Sequence, residues 1–432
     1  MAWDFETDPE FQEQLDWMDE FVTNEVQPLD LVLDDPYDKS DSAGLALITP
    51  LQDQVRERGL WACHLGPELG GPGYGQVKLA LMNQILGRSR FAPTVFGCQA
   101  PDSGNAEILA HYGSDAQKER YLQPLLDGKI SSCYSMTEPQ GGADPTMFTT
   151  SAVKDGDEWV INGEKWFSSN AKFASFFIVM VVTNPDVSAY EGMSMFIVPA
   201  ETPGVNIIRN TGIGNETEAE GSHAYMHYDN VRVSNDHLLG EPGSAFAIAQ
   251  TRLGGGRIHH AMRTIAQVEA AFAMMCERAL SRETRNGPLA SLGVVQEQIA
   301  DTWIEIEQFK LLVLRTAWRI DKYNDYRKVR KDISAVKVAM PKVYHDVALR
   351  AMHLHGALGV SNEMPFTGML IASEVMALAD GPTEVHKTTV ARQVLREHKP
   401  VDGLWPSAHI PARKAAARAK YAAHFEREAA DH

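Results

Sequence analysis

The chain has 432 residues, of which 44% are hydrophobic and 22% are charged, so it is long enough for two or three packed units of ordinary globular composition. Its net charge of −17 argues against a nucleic-acid partner, because phosphate binding needs clustered cations. The longest apolar run, 174–182, is too short to cross a bilayer, and the acidic first ten residues do not resemble a secretory signal. The sequence therefore predicts a cytoplasmic protein without a membrane span.

The first part of the chain has helical spacing. Phe11, Leu15 and Met18 recur at the interval of an amphipathic helix. The glycine-rich stretch 67–73 interrupts this pattern and predicts a loop, after which helical spacing resumes. We therefore expect an N-terminal helical domain over residues 1–130.

The character of the chain changes after this point. The dipeptide Asn162-Gly163 lies between two aromatic-rich runs and predicts a hairpin, because a type I′ turn needs positive φ at both central residues. Two apolar runs, 176–182 and 194–198, predict buried strands. These signals predict a β domain over residues 131–242.

Helical patterns return after about Gly243. Ile299 and Trp303 begin an apolar stripe with helical spacing. This pattern predicts a C-terminal helical domain over residues 243–400, and the alanine-rich residues 401–432 predict a helical tail.

The cysteines and histidines do not indicate a metal site. Four cysteines are scattered without a Cys-x-x-Cys pair, as expected for buried thiols in a reducing compartment. The histidine pairs 259–260 and 353/355 lack metal-site spacing with nearby carboxylates. We therefore expect no bound metal.

Two short segments have the composition of a chemical site. Residues 134–144 form a small-residue loop with a threonine, which can present backbone N–H groups to a flavin ring and to phosphate. Taken alone, such loops are more often plain turns. Asp380-Gly381 taken alone is likewise normally a solvated turn.

Several motifs, taken together and in order, resemble the acyl-CoA dehydrogenase family. They are Pro67-Glu68 with two following glycines, Tyr112-Gly113 with Gln117–Leu122, Tyr134–Asp144, and Lys165–Asn170. The match runs from about residue 10 to 400. The combination of Asp-Gly-Pro at 380–382 with Thr-Glu-Pro-Gln-Gly-Gly at 137–142 resembles the branch typified by the mammalian members 10 and 11. The resemblance implies an α+β fold with an N-terminal helical domain, a middle β-barrel domain and a C-terminal four-helix bundle.

The resemblance also implies a bound FAD. The residues implied to line its isoalloxazine ring are Tyr134, Met136 and Thr137, with Gly142 in the same loop, Phe167 at the flavin-facing aromatic position and Ser169 at a hydroxyl position. Thr383 and Glu384 are further implied contacts. Those implied to reach the FAD of a neighbouring subunit are Arg282, Thr284, His353, Gly356 and Ala357.

Four positions depart from the family pattern. Ala143, Gly293, His353 and Pro382 stand where other residues are common, and each change removes an expected hydrogen bond to FAD. His353 retains a donor that can substitute for the glutamine of the family.

The catalytic base implied by the resemblance is Asp380, where the family has glutamate. Some members carry the base on the helix before an arginine that matches Arg257, but Gly256 stands there in this chain. Glu384 is the fallback candidate. The resemblance places Arg257 near the base and the thioester, and its alternative role is a structural salt bridge.

The implied activity is α,β-dehydrogenation of an acyl-CoA to a trans-2-enoyl-CoA, with electrons passed to an electron-transferring flavoprotein. The cross-subunit contacts imply a homodimer or homotetramer. Two alternatives remain open: an acyl-CoA oxidase that reduces oxygen, and a non-catalytic subunit that binds acyl-CoA or FAD.

Overall fold

The computed structural model describes residues 5–423. These residues divide into two compact units, which separate between Lys387 and Thr388. The first unit contains all helices and strands that precede the helix Thr383–Leu395, together with the first residues of that helix. No helix of the described residues combines the length and the apolar character that a membrane crossing requires.

Short helices form the beginning of the first unit. They are α1 Pro9–Phe21, α2 Leu29–Val32, α3 Ser42–Glu57, α4 Gly75–Leu86, α5 Ala92–Val95, α6 Asp102–Tyr112, α7 Asp115–Gln117 and α8 Gln123–Leu126. Helix α1 begins where the Asp8 side chain accepts a hydrogen bond from the Phe11 amide at 2.9 Å, which satisfies one free N–H of the first turn. Phe11, Leu15 and Met18 then point into the core.

A seven-stranded sheet follows. Its strands are β1 Ser132–Ser135, β2 Ser151–Asp155, β3 Glu158–Ser169, β4 Phe176–Val182, β5 Met193–Pro199, β6 Val205–Thr211 and β7 His223–Ser234. The strand order is β1-β4-β2-β3-β7-β6, and β5 pairs with β4. Strand β1 runs parallel to β4, whereas β3 runs antiparallel to both β2 and β7.

Strand β4 is buried on both faces, which explains its continuous apolar sequence. Phe176 and Ile178 pack into one hydrophobic cluster with α6 and the start of the following long helix. Phe177 and Val179 pack into a second cluster inside the sheet. A strand covered on both sides needs no polar alternation.

The predicted hairpin at Asn162-Gly163 is wrong. Strand β3 runs through this dipeptide, and the turn lies earlier, at Gly156, which has φ of +62°. Gly163 instead lies at a shift in register against β7, with φ of +141°. A Cβ on Gly163 would lie 2.6 Å from the Cα of Thr150, so glycine is required there by close backbone packing rather than by a turn.

Long helices complete the first unit. They are α9 Ala245–Ser281, α10 Gly293–Tyr323, α11 Tyr326–His355 and α12 Phe366–Leu378, with a small hairpin of β8 Glu283–Thr284 and β9 Gly287–Pro288 after α9. Helix α13 covers Thr383–Leu395, and the second unit also contains α14 Ile410–Lys420. Residues 424–432 of the predicted tail lie outside the described residues.

The order of helices, sheet and helices confirms the predicted α+β fold. One hydrophobic core joins α1, α3 and α4 to α9, α10 and α11. Helix α9 begins at Ala245, close to the predicted return of helical pattern after Gly243, and it includes Gly254, Gly255 and Gly256. The helix tolerates them because neighbouring side chains pack directly against its bare backbone.

Candidate functional site

Asp380 lies in a tight turn between two helices. Helix α12 ends when the Ala379 amide donates to the Val375 carbonyl at 2.9 Å. Asp380 then adopts a left-handed backbone with φ of +57°, and Gly381 follows with φ of +102°. Aspartate is one of the few non-glycine residues that enter this region readily. The turn thus occupies the four residues 379–382, between the end of α12 at Leu378 and the start of α13 at Thr383.

Two side chains hold the carbonyl of this turn. Arg257 Nε donates to Asp380 O at 2.9 Å, and His386 Nε2 lies 3.2 Å from the same oxygen. Burial and the nearby Arg257 lower the pKa of His386 to about 4, so its ring is neutral near pH 7. Because a carbonyl can only accept, His386 must carry its hydrogen on Nε2. Arg257, expected near the base, is therefore placed as a backbone anchor of Asp380.

The Asp380 carboxylate faces α9. A Cβ on Gly256 would lie 3.1 Å from Asp380 Oδ2. The preceding glycine faces a second carboxylate, since a Cβ on Gly255 would lie 3.1 Å from Glu107 Oε2. At Gly255 and Gly256 the surface of α9 therefore has no side chains. The carboxylates of Glu107, from α6, and Asp380, from the turn, both lie against this part of the helix backbone.

Glu107 and Lys337 are charged groups that the sequence analysis missed. Burial raises the pKa of Glu107 to about 7, although Arg252 opposes this shift. Burial lowers the pKa of Lys337 to about 8, although the charge of Asp380 opposes it, and its Nζ donates to the Met376 carbonyl. The available signal for Lys337 was a cation within the buried apolar stripe of α11.

The β domain contributes Tyr134 to this region. The Arg252 guanidinium lies 4.0 Å from the centre of the Tyr134 ring, and Arg252 Nε donates to Asn105 Oδ1 at 2.9 Å. Burial raises the pKa of Tyr134 to about 12, with a smaller contribution from the charge of Asp380. Tyr134 and Asp380, which come from different domains, therefore lie close enough for the charge of Asp380 to act on the Tyr134 hydroxyl. The Tyr134 hydroxyl is buried and has no hydrogen-bond partner among the described residues.

The loop after β1 is anchored by a fully buried ion pair. Lys165 Nζ lies 2.8 Å from Glu138 Oε1 and also donates to the Met136 carbonyl at 2.9 Å. The Thr149 amide donates to the other Glu138 oxygen at 2.7 Å. Burial alone would raise the pKa of Glu138, but Lys165 and these hydrogen bonds outweigh it and lower the pKa. The pair fixes the carbonyl of Met136 next to Thr137.

Strand β3 presents an exposed aromatic ring beside this loop. Phe167 is 45% exposed with φ of +51°, an unusual backbone for phenylalanine, and its ring stacks on Trp166 at 5.4 Å. The Trp166 amide donates to the Thr137 carbonyl at 2.8 Å, which ties the strand to the loop. Ser169 Oγ lies 2.8 Å from His223 Nδ1.

These residues fit a planar, hydrogen-bonding group such as a flavin. Phe167 offers an exposed aromatic face, Ser169 a hydroxyl, and Tyr134 a buried hydroxyl without a partner. Gly142 has φ of +47° and open space around its Cβ position, so the loop leaves room for a ligand close to its backbone. The described residues contain no cluster of histidine, cysteine and carboxylate side chains that could hold a metal ion.

Other expected contacts are remote within a single chain. Arg282 lies 25 residues beyond Arg257 on α9, about 38 Å along the helix, and Thr284 follows in β8. His353 lies 16 residues beyond Lys337, about 24 Å along α11. Gly356 and Ala357 follow His353 and are exposed. One copy of the chain therefore does not bring these residues to the Asp380 turn.

Thr383 and Glu384 lie just after Asp380, in the first turn of α13. Thr383 Oγ1 donates to the Ala377 carbonyl at 3.3 Å, which helps close the turn. Glu384 is exposed, in contrast to the half-buried Asp380. This difference favours Asp380 over Glu384 as the carboxylate that faces α9.

Family models match almost the whole chain. The acyl-CoA dehydrogenase N-terminal domain matches residues 8–129, the middle domain 133–231 and the C-terminal domain 243–395. FadE2 of Mycobacterium tuberculosis is 41% identical over 364 residues, which cover 83% of this chain and 88% of that protein. Acyl-CoA dehydrogenase family member 11 of Gallus gallus is 41% identical over 79% of this chain, but the matched region is only 44% of that longer protein.

Solved structures agree with these matches. A Mycobacterium abscessus structure assigned to acyl-CoA dehydrogenases has a TM-score of 0.84 and 38% identity, and the match covers 91% of this chain and 100% of that one. Butyryl-CoA dehydrogenase from Megasphaera elsdenii has a TM-score of 0.76 and 25% identity with the same coverage. From its three matched domains and its relatives, the chain belongs to the acyl-CoA dehydrogenase family of oxidoreductases.

Proposed function

We propose that this protein is an FAD-dependent dehydrogenase that converts an acyl-CoA thioester to a trans-2-enoyl-CoA. Asp380 is the base, and electrons leave to an electron-transferring flavoprotein, as in β-oxidation of fatty acids. The observation that carries the proposal is the position of the Asp380 carboxylate, which faces the bare backbone of Gly256 on α9. Because Gly256 has no side chain, none of its atoms beyond the backbone stands in front of this carboxylate.

The geometry suits removal of a proton next to a thioester. Asp380 Oδ2 accepts the α-proton, and Arg257 and His386 keep its backbone from moving as it does so. Among the described residues, no acceptor bonds the Asp380 amide N–H, which leaves it able to donate to the thioester oxygen. One preorganised donor of this kind is commonly worth ~3 kcal/mol in the transition state.

The β domain supplies the surface that would hold FAD, which we call the flavin wall. Phe167, Ser169, Thr137 and Tyr134 are the residues of this wall, and FAD supplies the acceptor for the β-hydride. The remote Arg282 and His353 support a second part to the proposal, in which two chains complete each FAD site in a homodimer or homotetramer.

The absorbance spectrum of the purified protein tests this function. We expect a yellow protein whose visible flavin absorbance bleaches without oxygen when a suitable acyl-CoA is added from a panel of chain lengths. The Asp380→Asn variant should stay yellow and fail to bleach, because the amide cannot accept the proton. The matched control Glu374→Gln, which changes an exposed carboxylate on α12, should bleach like the wild type.

The same preparation separates the alternative functions. Rapid peroxide formation in air would identify an oxidase, whereas transfer to an electron-transferring flavoprotein supports the dehydrogenase. A protein that stays colourless after FAD addition would contradict the proposal and favour a non-catalytic subunit. Full bleaching by Asp380→Asn would remove Asp380 from the mechanism.

A further inference from the structure

We propose that His223 is a positioning residue that orients both side chains of the flavin wall on β3, Phe167 and Ser169. This inference rests on the proposed function, because it assigns to His223 a role toward the bound FAD. His223 does not belong to the motifs that carried the family resemblance.

The contacts of His223 reach both residues. His223 pairs with Ser169 across β3 and β7, and its Nδ1 lies 2.8 Å from Ser169 Oγ. Its ring also packs on Phe167, with the ring centres 5.8 Å apart and the planes at 44°. The register of β3 against β7 shifts between Lys165 and Ser168, so ladder pairing alone does not fix Phe167. The imidazole therefore supports the exposed ring where the strand pairing is irregular.

The His223 ring forms its hydrogen bond with Ser169 on β3 and not with Thr211, its cross-strand neighbour on β6. His223 also pairs with Thr211 across β6 and β7. Thr211 Oγ1 is buried without a hydrogen-bond partner in the described chain, as is the neighbouring Asn210 Oδ1. The ring nitrogen of His223 therefore bonds Ser169, while Thr211 Oγ1 keeps no partner among the described residues.

This bond decides what Ser169 can offer a ligand. A hydroxyl has one hydrogen to donate, and a neutral imidazole has one donor and one acceptor nitrogen. Burial lowers the pKa of His223, partly opposed by Glu216, so the ring is neutral near pH 7. If Nδ1 carries the hydrogen, it donates to Ser169 and leaves the serine hydrogen free for the flavin. If Nδ1 is bare, it takes that hydrogen, and Ser169 can only accept.

Binding of FAD to apoprotein tests the inference without turnover. His223→Phe keeps a ring against Phe167 but removes the bond to Ser169, and His223→Asn retains a short polar group near Nδ1. The matched control is His227→Phe, four residues along β7 on the same face and about 13 Å away. Circular dichroism and thermal melting establish that each variant is folded, and flavin fluorescence gives its dissociation constant for FAD.

We expect His223→Phe to weaken FAD binding about fivefold, the value of one ordinary hydrogen bond, and to shift the flavin reduction potential. His223→Asn should recover part of the loss, and His227→Phe should match the wild type. In a Ser169→Ala background, His223→Phe should change the dissociation constant less than twofold, because its effect acts through the serine hydroxyl.

Two results separate failure of the inference from failure of the function. If wild type and His227→Phe bind FAD and folded His223→Phe binds it equally well at an unchanged potential, the role of His223 is refuted while the proposed function stands. If wild-type protein does not bind FAD at all, the proposed function fails and the inference falls with it. A full effect of His223→Phe in the Ser169→Ala background would also overturn the inference.

Discussion

Asp380 and Gly256 face each other so closely that the glycine cannot gain a side chain without contact: a Cβ there would lie 3.1 Å from Asp380 Oδ2. Gly256 lies inside α9, where alanine is intrinsically better than glycine by about 1 kcal/mol. Under the proposed function, in which Asp380 is the base, stability and catalysis make opposite demands at this residue.

We expect Gly256→Ala to keep or raise the melting temperature while activity falls about tenfold. The Asp380 carboxylate must shift by a few tenths of an ångström, and small displacements of a base are costly in rate. Gly254→Ala is the matched control, because its Cβ would meet only the Tyr326 ring at 3.4 Å. Equal activity of both variants would argue against Asp380 as the base.

The buried Glu138–Lys165 pair should be essential for stability. We expect Lys165→Met or Glu138→Gln to reduce the free energy of unfolding by roughly 3–5 kcal/mol, because one buried partner loses its counter-charge. Arg232→Ala breaks only exposed pairs with Asp155 and Glu158 and should cost less than about 1 kcal/mol. Urea unfolding measures all three, and equal costs would contradict this difference.

Glu107 should make stability depend on pH. Its pKa is raised to about 7 in the folded protein, above the ordinary value of 4.5, so between these values the folded state holds more protons than the unfolded state. Stability from this group is therefore present below pH 4.5 and is lost as pH rises towards 7. Glu107→Gln should be more stable than wild type at pH 8 by up to about 3 kcal/mol, but not at pH 4.5.

Unfolding curves at several pH values check this expectation. Glu218→Gln is a suitable control, because Glu218 is exposed and should leave the pH profile unchanged. A Glu107→Gln profile parallel to that of the wild type would show that Glu107 ionises normally in the folded protein.

Gly163 should tolerate substitution less well than Gly156, although both have positive φ. Gly163→Ala places a Cβ 2.6 Å from the Thr150 backbone, and such overpacking commonly costs 1–3 kcal/mol beyond the backbone strain, so we expect a loss of at least about 2 kcal/mol. Gly156→Ala meets nothing within 4 Å and should cost only the strain, about 1–2 kcal/mol. Thermal unfolding of the two variants would reveal equal losses if the close approach to Thr150 were unimportant.

The order of elements could be predicted from the sequence because periodicity is a local property. The apolar run 176–182 became strand β4 with the same bounds, since a strand buried on both faces cannot be polar. The Asn162-Gly163 hairpin failed for the opposite reason. The local turn signal was overridden by packing against Thr150, which lies 13 residues before Gly163 and outside the four residues of a turn.

The same distinction applies to the candidate site. Residues within local motifs could be predicted, whereas residues that depend on distant contacts could not. Asp380 and Arg257 could be named because each lies within a recognisable motif, and the structure joins them through a 2.9 Å hydrogen bond. Glu107 and His223 could not be named, because each matters through neighbours more than 40 residues away in sequence. Only the folded chain shows which of its isolated charged and polar residues meet.

The left-handed backbone of Asp380 limits how this enzyme can be redesigned. Aspartate, asparagine and glycine enter that conformation at little cost, whereas longer side chains are disfavoured. An engineer who wants a base with longer reach therefore cannot simply install glutamate at position 380 without penalty. A glutamate there would gain reach at the cost of adopting the left-handed backbone, about 1–2 kcal/mol.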